Sequence, residues 1–312
     1  MYTYRMHGCV VESDLDLHLP VIDADSAPAM ILRQSSDLLW TASCPDQKDV
    51  IATIWNEPPG LRYYLARTPG GYRLHFDAIG EFDISADLVD VSWKMAPGQE
   101  RGLISVLASG SLMAFRLSLA GHLVLHASAV RVRDRGLAFV GRCGMGKSTV
   151  ATMMCGEGAE LLTDDVARVD LDGLRPMLWP GCVESRLRPD ATSIADDSDS
   201  RGLDVRMTGD GRTAVSLPFW DKAPVSLDAV VIPIPSRDHD ELHLTEVSSA
   251  KGLAWMGRYP RIAGWTDNEM RAREFTRLAA LARCVPVYIA VLPWGLPFPA
   301  RIADDLLTRL GW

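Results

Sequence analysis

The second half of the chain alternates apolar runs with stretches of helical spacing. Gly136 and Gly141 flank the apolar run Leu137-Ala138-Phe139-Val140. Such a run predicts a buried strand. The segment 150–155 contains neither Gly nor Pro and predicts the first turns of a helix. Later strands are predicted at 160–163, 226–234 and 285–292, and later helices at 249–257, 266–283 and 299–310. The helix at 266–283 would open with a capping box of Thr266 and Glu269.

The first 98 residues follow a different pattern. Short apolar segments at 8–11, 29–32, 50–55, 61–65 and 72–79 are separated by clusters of Pro, Gly and Asp, as is typical of strands joined by turns. Pro97-Gly98 gives the expected boundary between a β-rich N-terminal domain at 1–98 and a second domain at 99–312. No motif in the first domain carries chemistry, so substrate recognition is assigned to it only by exclusion.

The second domain is expected to begin with a helix and a hairpin. Apolar residues recur with helical spacing from 102 to 119, although Gly110 interrupts them. A strand at 122–130, a polar turn at 131–136 and the strand at 137–140 then predict a hairpin. Pairing through that turn would bring His126 close to the residues that follow Val140.

Those residues form the motif that organises the chain. Gly141 to Thr149 reads G-x-x-x-x-G-K-S, a phosphate-binding loop between a strand and a helix. The glycines let backbone N–H groups turn inward, and the helix adds the positive end of its dipole. Lys147 can contact the β- and γ-phosphates, and the Ser148 hydroxyl can bind Mg²⁺. The predicted nucleotide-binding residues are Gly141, Cys143, Gly144, Met145, Gly146, Lys147, Ser148 and Thr149.

We therefore predict ATP and Mg²⁺ as cofactors, and the alternative is a glycine-rich turn that caps an ordinary helix. Asp164-Asp165 follows the predicted strand at 160–163, and ligands of open α/β sheets bind beyond the carboxyl ends of strands. Kinase chemistry uses one carboxylate at the attacking hydroxyl and another at the metal. Because Asp-Asp also favours turns, a turn is the alternative here.

Arginines further along the chain are candidate phosphate ligands. The segment 179–191 predicts an irregular loop that contains Arg186 and Arg188, and 190–211 is polar and acidic enough to predict a mobile flap. Arg212 follows the flap. For each of these three arginines, the alternative to binding phosphate is a solvated surface position.

Composition and charge exclude several classes of protein. The formal charge of −8 argues against broad attraction to nucleic acid or anionic lipid. The N-terminus lacks a signal-peptide core, and Arg116, His122 and His126 interrupt the apolar stretch 103–130, so no membrane span is expected. The six cysteines have no disulfide or metal spacing. We expect a cytoplasmic protein whose partners include neither nucleic acid nor a membrane.

His126-Ala127-Ser128-Ala129, the loop 141–149 and Asp164-Asp165 follow one another with the spacing found in the HPr serine kinase group, which the chain resembles. Within that group it is most similar to the kinases found with ribosomally made peptides, such as the lasso-peptide kinases. The segments 2–19 and 283–288 also resemble that group. The resemblance implies a P-loop domain of the type shared by HPr kinase and phosphoenolpyruvate carboxykinase, a mixed sheet flanked by helices.

The resemblance also implies residue roles. Lys147 would hold the β- and γ-phosphates, and Ser148 the metal. Asp164 would be the base for the acceptor hydroxyl, Asp165 would assist with the metal, and His126 would support the carboxylates or the γ-phosphate. The glycine-rich signature that HPr kinases carry after the double Asp is missing. Arg186-Leu187-Arg188 stands there instead, which argues against HPr itself as the substrate.

Two functions are expected from this combination. The first is an ATP- and Mg²⁺-dependent kinase that phosphorylates a hydroxyl of a peptide, with serine the expected acceptor and a ribosomally made precursor the expected peptide. The second is a nucleotide-binding switch or scaffold in a peptide-maturation complex, without phosphate transfer. A carboxykinase-like decarboxylation would need a second metal-ligand set of Lys and His, which we do not find. The acceptor and the oligomeric state, including a homo-oligomer, stay open.

Overall fold

A computed structural model describes residues 1–37, 45–54, 63–188, 202–295 and 301–312. The described chain is mixed α/β, with a β-rich N-terminal region and a mixed sheet. It divides into two compact units. One comprises Met1–Gly121 and Ile262–Glu274, and the other comprises His122–Arg261 and Phe275–Trp312.

The N-terminal unit is built on an eight-stranded sheet, as the turn-rich apolar pattern predicts. Its strands are β1 (Tyr2–Met6), β2 (Cys9–Ser13), β3 (Met30–Gln34), β4 (Val50–Ile54), β5 (Tyr63–Thr68), β6 (Gly71–Phe76), β7 (Gly80–Ser85) and β8 (Asp90–Met95). A short 3-10 turn, Gln47–Asp49, precedes β4. The strand order is β1-β2-β3-β8-β7-β6-β5-β4. Strand β3 is parallel to both of its neighbours, and the other pairs are antiparallel.

A helix lies in the core of this unit. It consists of α1 (Arg101–Leu107), a π-helical turn at Ala108–Leu112 that contains Gly110, and α2 (Met113–Leu119). Phe115 packs edge-on against Tyr63 and Trp265, with ring centroids 5.4 and 5.7 Å apart. Among the described residues, this helix is the candidate membrane span by length and composition, but 61 % of its most apolar window is buried inside the structure.

The two units divide the chain differently from the expected boundary at residue 98. The helix that was assigned to the second domain contributes its buried face to the N-terminal unit, because Ile104, Leu112 and Phe115 are almost fully buried there. The segment 262–274 joins the same unit from far along the chain. Trp265 forms a bridge to Ala52, and the segment therefore extends the N-terminal sheet at β4.

The second unit contains twelve described strands and four described helices. The strands are β9 (Leu123–Leu125), β10 (Ala127–Val132), β11 (Arg135–Val140), β12 (Glu160–Thr163), β13 (Ala167–Asp170), β14 (Met177–Leu178), β15 (Glu184–Leu187), β16 (Val205–Met207), β17 (Thr213–Ser216), β18 (Val225–Ser236), β19 (His243–Val247) and β20 (Val287–Pro293). The helices are α3 (Lys147–Gly156), α4 (Ser249–Gly257), α5 (Asn268–Cys284), whose N-terminal part belongs to the other unit, and α6 (Ile302–Leu310).

Nine of these strands form one mixed sheet. Its main order is β12-β10-β11-β18-β14-β13-β9, and β20 and then β19 extend it beside β18. Strand β18 is parallel to β11 and β20. Successive residues of β11 point to opposite faces of the sheet. Phe139 packs in an apolar cluster with Met154 of α3 and Leu306 of α6, whereas Val140 packs in a second apolar cluster with Leu281 of α5. Helices therefore flank both faces. A separate three-stranded sheet has the order β15-β17-β16.

Three local predictions differ from the structure. The segment 179–191, expected to be a loop, contains β15, and the expected flap at 190–211 contains β16. The capping box predicted for α5 is wrong, because the Thr266 hydroxyl donates to the carbonyl oxygen of Val50 instead. Asp267 caps this helix, since its Oδ1 atom accepts from the N–H of Met270 at 3.0 Å.

Parts of other predictions fall on residues that the structure does not describe. These are the flap from 190 to 201, the ends of the apolar segments at 55 and at 61–62, and the first residues of the helix predicted at 299–310.

Candidate functional site

The predicted hairpin is present, and it places His126 beside the predicted phosphate-binding loop. Strands β10 and β11 pair antiparallel, with Ala127 opposite Val140. The predicted strand at 122–130 is interrupted at His126, because β9 pairs with β13 whereas β10 pairs with β11 and β12. His126 therefore comes one residue before Ala127, which pairs with Val140 at the end of β11. Its Nε2 atom lies 3.3 Å from Lys147 Nζ.

The loop needs its glycines for measurable reasons. Gly144 and Gly146 have φ angles of +87° and +82°, a region that residues with a Cβ rarely adopt. A Cβ at position 146 would also lie 2.3 Å from the Trp294 ring. Helix α3 begins at Lys147, so the first backbone N–H groups of the helix lack partners within it. Such N–H groups favour an anion.

Most of the predicted nucleotide-binding residues line one pocket, and two lie beneath it. Met145 is buried, and its sulfur accepts from the N–H of Arg142 at 3.2 Å. Gly141 is buried against the Met145 side chain. These two residues support the loop from below. The pocket is lined by His126, Cys143, Gly144, Gly146, Lys147, Ser148, Thr149, Asp164, Asp165, Arg186, Leu187, Arg188, Arg212 and Trp294.

Asp164 is surrounded by hydrogen-bond donors. Its Oδ1 atom accepts from the Ser148 hydroxyl at 2.8 Å and from the Ser128 hydroxyl. Its Oδ2 atom accepts from the backbone N–H of Arg186 at 2.9 Å. The residue is only 6 % exposed. The carboxylate beside the predicted metal ligand Ser148 is thus Asp164, whereas the resemblance implied Asp165.

Asp165 has a different set of neighbours. Arg261 and Arg186 donate to its Oδ2 atom at 2.8 and 3.2 Å, and His126 Nε2 lies 3.4 Å from its Oδ1 atom. Its side chain is 24 % exposed. Burial raises the pKa of Asp165, but the ion pairs with Arg261 and Arg186 outweigh burial and hold that pKa below its ordinary value. The carboxylate is therefore ionised at neutral pH.

Two further arginines meet at the tip of the loop. Arg188 and Arg212 both donate to the exposed Cys143 sulfur, at 3.0 and 3.6 Å. Arg212 also pairs with Asp210 at 3.4 Å. The positions predicted as phosphate ligands are thus brought to the loop from the ends of strands that lie far from it in sequence.

Burial lowers the pKa values of the two basic groups at the centre of the pocket. It lowers the pKa of His126 to about 3, and the positive charge of Lys147 acts in the same direction. Burial also lowers the pKa of Lys147, although Asp164 and Asp165 oppose that effect. His126 is consequently a neutral imidazole at pH 7, able to accept a hydrogen bond from the Lys147 ammonium.

The oxygen ligands of the pocket fit a hard cation that is held partly by phosphate. Within the described ranges, no group of three or more His, Cys, Asp or Glu residues forms a metal cluster. Mg²⁺ commonly uses one or two protein oxygens and completes its shell with phosphate and water. The Ser148 hydroxyl and the Asp164 carboxylate, 2.8 Å apart, would provide such a pair beside the predicted phosphate-binding loop.

Sequence reasoning missed Ser128, Arg261 and Trp294, and for Arg186 it kept a solvated surface position as the alternative to binding phosphate. Ser128 lies two positions after His126 in the predicted strand at 122–130, a spacing that places side chains on one side of a strand. A test for alternation could have found Ser128. Arg261 and Trp294 follow α4 and β20, and no motif or periodicity marks them.

The chain matches no model of a known protein family and no curated protein. The geometry of the site is therefore the basis on which a function is assigned.

Proposed function

We propose that the protein is an ATP- and Mg²⁺-dependent kinase that transfers the γ-phosphate to a hydroxyl, with serine the expected acceptor, of a peptide. The observation that carries the proposal is the contact between the loop residue Ser148 and the carboxylate of Asp164, with Lys147 and Asp165 in the same pocket. Phosphoryl transfer requires a polyphosphate grip, metal ligands and a group that orients the acceptor, and these residues can supply all three.

The charge of the pocket supports a polyanionic ligand. Its lining contains four cationic side chains and two carboxylates, although the chain as a whole carries a formal charge of −8. A local excess of positive charge in a cleft attracts anions and raises their local concentration. The cations are Lys147, Arg186, Arg188 and Arg212. Arg188 and Arg212 can bind phosphate oxygens in place of the Cys143 sulfur, which is a weak acceptor.

We assign the metal to Ser148 and Asp164, because these two oxygen ligands are adjacent. Mg²⁺ would supply charge neutralisation between the β- and γ-phosphates. Ser128 and the N–H of Arg186 orient the Asp164 carboxylate. This assignment exchanges the roles that the family resemblance implied for the two aspartates.

We assign the acceptor hydroxyl to Asp165, the more exposed of the two carboxylates. The acceptor oxygen forms a bond to the γ-phosphorus while the bond from that phosphorus to the β–γ bridging oxygen breaks. The hydroxyl proton passes to Asp165, and ADP is the leaving group. Because its pKa is depressed, Asp165 is a weak base. Its main contribution is therefore to orient the acceptor hydroxyl. A loose transition state tolerates a weak base.

The order of elements supports a fold of the HPr kinase type as part of the proposal. His126 between β9 and β10, the β10–β11 hairpin, the loop, α3 and then β12 followed by Asp164-Asp165 succeed one another along the chain. Helices lie on both faces of the mixed sheet. A lasso-peptide precursor or a similar ribosomally made peptide is the proposed acceptor, on the resemblance alone.

The test is phosphorylation of a defined peptide. Full-length protein is incubated with Mg²⁺, ATP and each precursor peptide encoded beside its gene, and the products are examined by mass spectrometry. We expect the added mass of a phosphate on a serine, and no addition with Ser148→Ala. Ser92→Ala, in the N-terminal sheet, is the matched control and should behave as wild type. Binding of Mg²⁺–ATP without phosphorylation of any peptide would favour the switch or scaffold instead.

A further inference from the structure

The two carboxylates lie on a strained turn. Strand β12 ends at Thr163, and the N–H of Val166 donates to the carbonyl oxygen of Asp164 at 2.9 Å. Asp165, between them, has a φ of +73°. This hydrogen bond and the positive φ are those of the rarer form of γ-turn, which is strained for a residue that carries a Cβ. Such a turn persists only when the surrounding structure holds it.

Cys182 holds this turn through both backbone polar groups of Asp164. The N–H of Asp164 donates to the Cys182 sulfur at 3.0 Å, and the Cys182 thiol donates to the carbonyl oxygen of Asp164 at 3.2 Å. The carbonyl oxygen of Glu184 is a more distant acceptor, at 3.5 Å. Thr163 adds a bond from its hydroxyl to the carbonyl oxygen of Val166 at 2.6 Å.

The geometry matches the two hydrogen-bonding capacities of a thiol. Its S–H group can donate to one carbonyl oxygen while its sulfur accepts from an N–H group.

We propose that Cys182 is a positioning residue for phosphoryl transfer, an inference that rests on the proposed function. By fixing the backbone of Asp164, the thiol directs the Asp164 carboxylate toward Ser148 and the Asp165 carboxylate toward His126. Serine at position 182 would keep one donor and one acceptor, whereas alanine would keep neither. The effect of the thiol should therefore follow hydrogen bonding rather than volume.

The test compares Cys182→Ala and Cys182→Ser with Cys155→Ala. Cys155 is the matched control, because it is also a free thiol but its side chain packs in the apolar cluster on one face of the mixed sheet. Two quantities are measured: Mn²⁺ affinity in the presence of ADP, by electron paramagnetic resonance, and kcat for the peptide. Loss of a group that orients a metal ligand commonly costs about 10- to 100-fold. We expect about a 10-fold loss of both quantities in Cys182→Ala and recovery to within about threefold in Cys182→Ser.

Cys155→Ala should leave both quantities within about twofold of wild type. Equal losses in Cys155→Ala and Cys182→Ala would overturn the inference, because packing alone would explain them. So would a Cys182→Ser variant as poor as Cys182→Ala. If wild type binds Mn²⁺ and ADP but transfers no phosphate, the kinase proposal fails while the metal comparison still decides the role of Cys182. If wild type binds neither, both proposals fail.

Discussion

The two large sheets use their charged residues in different ways. In the N-terminal sheet, Arg73 on β6 pairs at 2.6 Å with Asp83, its direct neighbour on β7. On the same two strands, His75 Nδ1 lies 3.3 Å from Oε2 of Glu81, its direct cross-strand partner. In the second unit, by contrast, Asp165 meets Arg186 and Arg261, which come from distant parts of the chain.

The difference separates charges that stabilise a sheet from charges that form a site. A cross-strand pair neutralises each charge locally and contributes a modest amount to sheet stability. Collecting many charges in one partly buried pocket carries a desolvation cost that local pairing avoids. The pocket at Lys147 retains an excess of cationic groups, and a bound polyanion would offset that cost. We therefore expect the functional site to lie in the second unit.

The largest expected effect comes from removing the charge of Asp165. Asp165→Asn keeps the shape of the side chain, and asparagine tolerates a positive φ. We expect the rate of phosphate transfer to fall about 1,000-fold, because the variant loses the carboxylate that orients the acceptor hydroxyl and receives its proton. Affinity for Mg²⁺–ATP should stay within about threefold. Single-turnover phosphorylation and calorimetry measure the two quantities.

The control for that variant is Asp83→Asn in the N-terminal sheet, which should leave the rate unchanged. A full rate in Asp165→Asn, together with a rate lost in Asp164→Asn at saturating metal, would restore the base role to Asp164.

The next effect concerns nucleotide affinity. Lys147→Ala removes a charged donor from the pocket, and such hydrogen bonds contribute about 1.5–3 kcal/mol. We expect affinity for Mg²⁺–ATP to weaken about 10- to 100-fold in calorimetry. Lys48→Ala, whose side chain is 74 % exposed beside Asp46, is the matched control. Equal affinity in wild type and Lys147→Ala would contradict a phosphate-binding role for the loop.

A smaller effect is the pH dependence of stability caused by His126. Its pKa is about 3 in the folded protein, against a reference value of 6.5. Below pH 6.5 the unfolded chain binds a proton that the folded protein does not, so stability falls as the pH falls. The loss from about pH 7 to about pH 5 should be about 2 kcal/mol at most.

Urea unfolding of wild type and His126→Asn at about pH 7, 6 and 5 measures this loss. The variant should lose less stability over that range. The ion pairs of Asp165 stabilise the fold throughout this range, because its pKa is depressed and their contribution is lost only below about pH 4. Parallel pH profiles for the two proteins would rule out a buried neutral His126.

The smallest effect is expected in the N-terminal sheet. Arg73→Ala removes a partly exposed pair with Asp83, and such pairs contribute at most about 1 kcal/mol. The midpoint of urea unfolding should shift slightly, and affinity for Mg²⁺–ATP should not change. A large loss of nucleotide affinity in this variant would erase the distinction between the two sheets.

Local pattern was sufficient for two elements of the second unit. The strand at 160–163 and the helix at 249–257 have the bounds that apolar spacing predicts, because each lies between clear turn signals. Strands β15 and β16 were missed because they are short and rich in charged residues. Tertiary pairing with β17 stabilises them, and such pairing has no local signal.

The candidate site divides in the same way. Lys147, Ser148 and the aspartates belong to motifs that are continuous in sequence, so their types and order identified them. Cys182 and Arg261 act through contacts with residues 18 and 96 positions away. The neighbours of each aspartate could not be predicted either, because they depend on the direction in which the turn at Asp165 points its side chain.

Arg186 contacts the two carboxylates through different parts of the residue. Its backbone N–H binds Asp164, and its guanidinium binds Asp165. Almost any amino acid at this position would keep the first contact, whereas only the side chain provides the second. Natural variation at position 186 would therefore change the surroundings of Asp165, the proposed acceptor side of the pocket, and would leave the backbone contact to Asp164, the proposed metal ligand, unchanged.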